Sequence, residues 1–60
     1  MKKISIVWTD DDESEYEYAF DIRYEGIWLI FSTNEDGIAH EYRLNTDRIY
    51  EIDIVDQEEM

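Results

Sequence analysis

Sixty residues, seventeen of them acidic and five basic, carry a formal net charge of −12. A chain of this size is one small domain, residues 1–60, near the lower limit for a self-sufficient core. It has no Cys, which excludes a disulfide or thiolate metal site, and its negative field disfavours direct contact with nucleic acid or an anionic membrane.

Along the chain, Lys3–Thr9 reads as a first strand, with Ile4, Ile6 and Trp8 on one face. Met1-Lys2-Lys3 is basic, but the apolar run behind it is too short for a signal peptide or a membrane span, so a cytoplasmic location is expected. Asp10–Glu15 follows as a dense acidic stretch, predicted to be a solvated loop because like charges repel. Its oxygen ligands suit calcium in kind. The helix-flanked calcium loop, however, needs Gly at its sixth position and Glu at its twelfth, where this chain has Glu15 and Asp21, and its flanks read as strands. No metal or other cofactor is expected.

The most regular stretch is Tyr16–Thr33. Large residues at every even position from Tyr16 to Tyr24 predict a strand with one buried face. Glu25-Gly26 then predicts a two-residue turn, and Ile27–Thr33 the returning strand. That turn places Tyr24 opposite Ile27, Ile22 opposite Leu29 and Phe20 opposite Phe31, all facing one way. Asn34–Gly37 is a turn cluster, and Ile38–Leu44 a fourth strand. A four-residue loop pairs Phe31 with His40 and Leu29 with Tyr42, keeping Glu41 and Arg43 off the core side. A three-residue loop with a bulge turns Tyr42 toward Ile30 instead. Asn45–Asp47 turns the chain into a fifth strand, Arg48–Val55, with Tyr50, Ile52 and Ile54 aligned; residues 56–60 read as a frayed acidic tail.

No stretch has a helical period, so the expected fold is all-β: a five-stranded antiparallel meander. The predicted inner face carries Ile4, Ile6, Trp8, Tyr16, Tyr18, Phe20, Ile22, Tyr24, Ile27, Leu29, Phe31, Tyr42, Leu44, Tyr50, Ile52 and Ile54. With no helix to cover that face, the sheet must curl into a small, partly open barrel or be completed by homo-oligomerisation.

No catalytic constellation is legible, and an enzyme is not expected. His40 stands alone among the imidazoles and thiols, so a zinc site has no second ligand of those kinds, and His40 reads as structural. With so many carboxylates, close acidic pairs carry no information. The outer face says more. Glu15, Glu17 and Asp21 project from the second strand, joined by Glu41, Glu51 and Asp53 from the fourth and fifth. Residues two apart on a strand lie roughly 7 Å apart, comparable to phosphates along a nucleic-acid strand. Trp28 and Ile30 interrupt this polar face, Trp28 expected between Arg23 and Arg43, and Ile30 between Asp21 and Glu41. An aromatic patch ringed by charge has the anatomy of an interface.

In general type, a small, acidic, all-β chain without a catalytic motif resembles the inhibitors that phages and plasmids use against host nucleases. That resemblance implies a protein-binding module that mimics nucleic-acid charge and blocks a basic, nucleic-acid-binding enzyme. Its expected contacts are Glu15, Glu17, Asp21, Trp28, Ile30, Glu41, Glu51 and Asp53. The alternative expectation is a structural or assembly subunit, homo-oligomeric, whose acidity serves only solubility.

Overall fold

The alternating segments form five strands in the computed structural model, which describes residues 1–57: β1 (Lys2–Trp8), β2 (Glu13–Glu25), β3 (Trp28–Glu35), β4 (Ile38–Asn45) and β5 (Ile49–Asp56). A single-turn 3-10 helix, Thr46–Arg48, precedes β5 and is capped by the Asn45 side chain, which accepts from the Asp47 backbone N–H. All pairings are antiparallel, in one five-stranded sheet ordered β4-β3-β2-β1-β5. The meander therefore holds for the first four strands only. β5 pairs with β1, where Ile52 and Ile54 lie opposite Ile6 and Ile4 and continue their apolar rows. The sheet is not closed: β4 and β5 are its two edges.

β2 decides the shape. Its 13 residues would span roughly 43 Å if straight. Yet the three-residue 3-10 helix is tied to both of its ends. Thr46 donates from its backbone N–H (2.8 Å) and its hydroxyl (2.7 Å) to the carbonyl of Ile27, in the turn after β2. Arg48 accepts at 2.9 Å from the N–H of Thr9, in the loop before β2. So short a bridge requires β2 to be sharply bent. The bends are Tyr18 and Asp21, with φ of 57° and 55°. Against β1, the register moves from Ile4↔Tyr16 to Lys2↔Ala19; against β3, it moves from Phe20↔Ser32 to Arg23↔Ile30. Each bulge adds one residue to β2 and turns the following side chains to the other face.

The inward residues of β2 are thus Tyr16, Ala19 and Ile22, three apart rather than two. Ile4, Ile6, Ala19, Leu29, Phe31 and Leu44 form the buried core, with Trp8, Tyr16, Ile22, Tyr42, Ile49 and Ile52 packed against it. Six residues expected inside stay exposed. Tyr18 and Phe20 are displaced by the bulges; Tyr24, Ile27 and Ile54 lie at a strand end, a turn and an edge strand. Tyr50 is 79% exposed because an irregularity between Val7↔Glu51 and Trp8↔Ile49 places Ile49 inward in its stead.

Both hairpins differ in register from expectation. The first turn is Gly26-Ile27, so Glu25 faces Trp28 and Tyr24 faces Leu29. Gly26, at φ 61°, occupies the first turn position and Ile27 keeps a negative φ, the type II′ pattern. The second turn is the two-residue Asp36-Gly37, with φ of 55° and 80°, a type I′ turn. It pairs Phe31 with Tyr42, Leu29 with Leu44 and Thr33 with an exposed His40, which replaces both registers considered from the sequence.

The acidic loop is also shorter than expected. Glu13-Ser14-Glu15 joins β2, where Val7 pairs with Glu13 and the Trp8 indole N–H donates to Ser14 Oγ at 2.9 Å. What remains is the Thr9–Asp12 turn, with Asp11 at φ 70° and the Asp12 N–H bonded to Asp10 Oδ1 at 3.2 Å. At the other end, Asp56 closes β5 and pairs with Lys2, and Gln57 bonds to Met1 and to the Tyr18 N–H that the bulge frees. Glu58, Glu59 and Met60 of the expected tail lie outside the described residues. Among the described residues no helix is long and apolar enough to cross a membrane.

Candidate protein-binding surfaces

The bend divides the outward side of the sheet into two regions. On the half formed by β5, β1 and the start of β2, Ser5 is flanked by Glu15 and Asp53, and Val7 by Glu13 and Glu51. Partners directly opposite share a face, so four exposed carboxylates surround two smaller, half-buried side chains. Across this face the carboxylate-bearing strands are two strand spacings apart, about 10 Å, and along it neighbouring acids are about 7 Å apart. Lys3, bonded to Glu15 at 3.2 Å, is the one cation ion-paired here among the described residues.

The half formed by the end of β2, β3 and β4 is different. Ile30 is 0% exposed although it lies outside the core cluster, and its register partners are Arg23 and Arg43. Arginine stems lie readily along apolar surface while their heads stay wet. Here the heads are held: Arg23 reaches Asp21 at 2.9 Å, Glu25 at 3.0 Å and Glu41 at 3.2 Å, while Arg43 lies 3.6 Å from Glu41. The hydrogen bond to Glu25 outweighs the opposing cost of desolvation and, with Glu41 and Asp21, raises the Arg23 guanidinium above its ordinary pKa. Trp28, 40% exposed, lies between Glu25 and Asn45, one row from its expected place; Phe20, 36% exposed, lies opposite Ser32.

The predicted contact residues therefore do not form one row. Glu15, Glu51 and Asp53 lie together on the first half, with Glu13, at the start of β2, as a fourth member. Glu17 precedes the first bulge and Asp21 occupies the second. Asp21 and Glu41 are exposed but ion-paired to Arg23, whereas Ile30, opposite Arg23 and Arg43, is buried and presents no surface. Trp28 remains accessible.

Where β2 bends away from β3, an open groove of ≈ 450 Å³ lies between Glu15–Tyr18 and the Thr33–Glu35 and Tyr42 side. Tyr16 stands 5.0 Å ring to ring from both Phe31 and Tyr42. The Tyr42 hydroxyl and the Thr33 hydroxyl both donate to Glu35 Oε2, at 3.0 and 3.1 Å. That bond to Glu35, then desolvation, then the carboxylate charge raise the Tyr42 phenol above its ordinary pKa. The Asp36-Gly37 dipeptide was the sequence signal for this arrangement, because a two-residue turn places Tyr42 across from Phe31. Among the described residues, no three His, Cys, Asp or Glu side chains converge as a metal-binding group. Comparison with protein-family models, curated proteins and solved structures found no match to this chain.

Proposed function

We propose that this chain is a small acidic protein-binding module that acts in the cytoplasm by occupying the basic cleft of a nucleic-acid-binding enzyme. A host nuclease is the type of target, and the mode is that of a phage- or plasmid-type inhibitor mimicking nucleic-acid charge. The observation that carries this reading is the set of exposed carboxylates Glu13, Glu15, Glu51 and Asp53 around Ser5 and Val7, with Lys3 the one cation paired among them. A fold that holds like charges this close on a rigid sheet has a field suited to a basic surface. No catalytic role and no direct nucleic-acid contact is proposed. The test is capture of candidate nucleases on the immobilised protein, followed by elution with salt and with competing duplex DNA. A complex that resists both, or no complex at low salt, counts against charge mimicry.

A second reading, a homo-oligomeric assembly subunit, draws on a different observation. Phe20, Tyr24, Ile27, Trp28, Ile38 and Tyr50 are exposed, and β4 and β5 are unpaired edges. Edges and apolar side chains of this kind favour self-association. Light scattering that returns a monomer at micromolar concentration rejects it.

A further inference from the structure

We propose that the groove between the start of β2 and the β3–β4 hairpin receives an arginine side chain from the basic partner. Tyr16, Tyr18 and Tyr42 line it with aromatic side chains, and Glu17 and Glu35 with carboxylates. The proposal rests on the acidic-module reading above and locates its specific contact.

Three observations point to this occupant. First, the groove combines aromatic walls with carboxylates, the pairing that suits a cation able to stack and to accept carboxylate bonds at once. Second, one carboxylate is already positioned. Thr33, itself buried, and Tyr42 both donate to Glu35 Oε2, so that Oε1 receives no donor among the described residues. Third, the chain does not neutralise the groove itself. Lys3 is engaged with Glu15 at its margin, while Glu17 and Glu35 have no cationic partner among the described residues. A guanidinium is planar, stacks on a phenol ring and forks toward a carboxylate, whereas an ammonium offers a compact point charge. The groove therefore discriminates between the two cations as the charged face around Ser5 does not.

Decaarginine and decalysine are the probes, titrated by fluorescence with the aromatic NMR resonances followed in parallel. Decaarginine is expected to move the Tyr16, Tyr18 and Tyr42 ring signals and to bind several-fold more tightly than decalysine. Glu17→Gln with Glu35→Gln is expected to weaken decaarginine binding about tenfold, the scale of one charge-assisted contact. Glu51→Gln with Asp53→Gln removes the same formal charge elsewhere and is expected to weaken it far less. Tyr18→Asn, which keeps a residue tolerant of positive φ, is expected to weaken it about threefold. Should loss of Glu35 unfold the protein, Glu17→Gln and Tyr18→Asn carry the comparison. Equal weakening by the two double variants, or equal affinity for the two probes, overturns the groove but leaves the acidic-module reading standing. No binding of decaarginine at low salt overturns both.

Discussion

On the β5–β1–β2 face, Glu13, Glu15, Glu51 and Asp53 surround Ser5 and Val7, and among the described residues only Glu15 of the four has an ion-pair partner, Lys3. On the β2–β3–β4 face, Asp21, Glu25 and Glu41 hold Arg23, with Glu41 also beside Arg43, and the two arginines flank a fully buried Ile30. Both faces belong to one sheet and one strongly acidic chain. The difference shows that acidity here occupies two settings. Where an arginine is in register, carboxylates fix its head and its stem covers apolar surface. Where none is in register, the charge faces water.

The strongest way to break this comparison is to hollow each face in turn. Ile30→Ala is expected to cost about 2–5 kcal/mol, as for other buried aliphatic truncations. That is most of the stability of a small domain. Val7→Ala, at a half-buried site among the carboxylates, is expected to cost about 1 kcal/mol. Denaturant unfolding measures both, and equal costs erase the distinction.

Next in size is the effect of charge on binding. Replacing Glu15, Glu51 and Asp53 together by Lys should leave the circular dichroism spectrum native and remove most of the affinity for a basic partner. The same reversal at Asp21, Glu25 and Glu41 should instead lower the melting temperature, because it strips Arg23 of its partners. A charge-reversed first face that still binds a basic partner as tightly as the native protein ends the mimicry proposal. Arg23→Ala should likewise melt below Arg23→Met, since methionine keeps a stem over Ile30.

A smaller effect appears with pH. Tyr42 has its folded pKa raised, chiefly by its bond to Glu35, so its neutral form is favoured in the folded state. The resulting stability is complete below the ordinary tyrosine pKa and is lost as pH rises from there through the folded value. Spectrophotometric titration should show one phenol ionising late, and Glu35→Gln should bring it back toward the ordinary range. The smallest expected effect is that of Phe20→Ala. Strict alternation makes Phe20 a core residue worth about 3–5 kcal/mol. On the outer face at 36% exposure its loss should cost about 1 kcal/mol or less. A large loss would return Phe20 to the core and remove the bulges from β2.

These outcomes separate what was legible in the chain from what was not. Ile4, Ile6, Leu29, Phe31 and Leu44 announce their strands and their face, because period-two alternation is a local property of extended backbone. The two glycines announce the two hairpins, though not which residue precedes or follows the glycine in the turn. Gly26 takes the first turn position since that keeps positive φ away from Glu25 and Ile27, which carry a Cβ. The acidic excess was equally plain, including the residues Glu15, Glu51 and Asp53 that meet on one face.

Tertiary structure alone decided the bend of β2, and the bend decided the rest. Neither Tyr18 nor Asp21 is a residue that advertises positive φ as glycine does, and a strand without bulges keeps every large even residue of β2 on one side. Such a strand cannot bring its two ends within reach of the short Thr46–Arg48 helix or let β5 reach the free edge of β1. Burying Ile4, Ile6, Phe31 and Ala19 in one core outweighs the local strain at two positions, and that balance is struck between residues distant in the chain. For the same reason, composition could show that the carboxylates would be plentiful. Only the bent sheet determined which of them hold arginines, which line the tyrosine groove and which stand open to water.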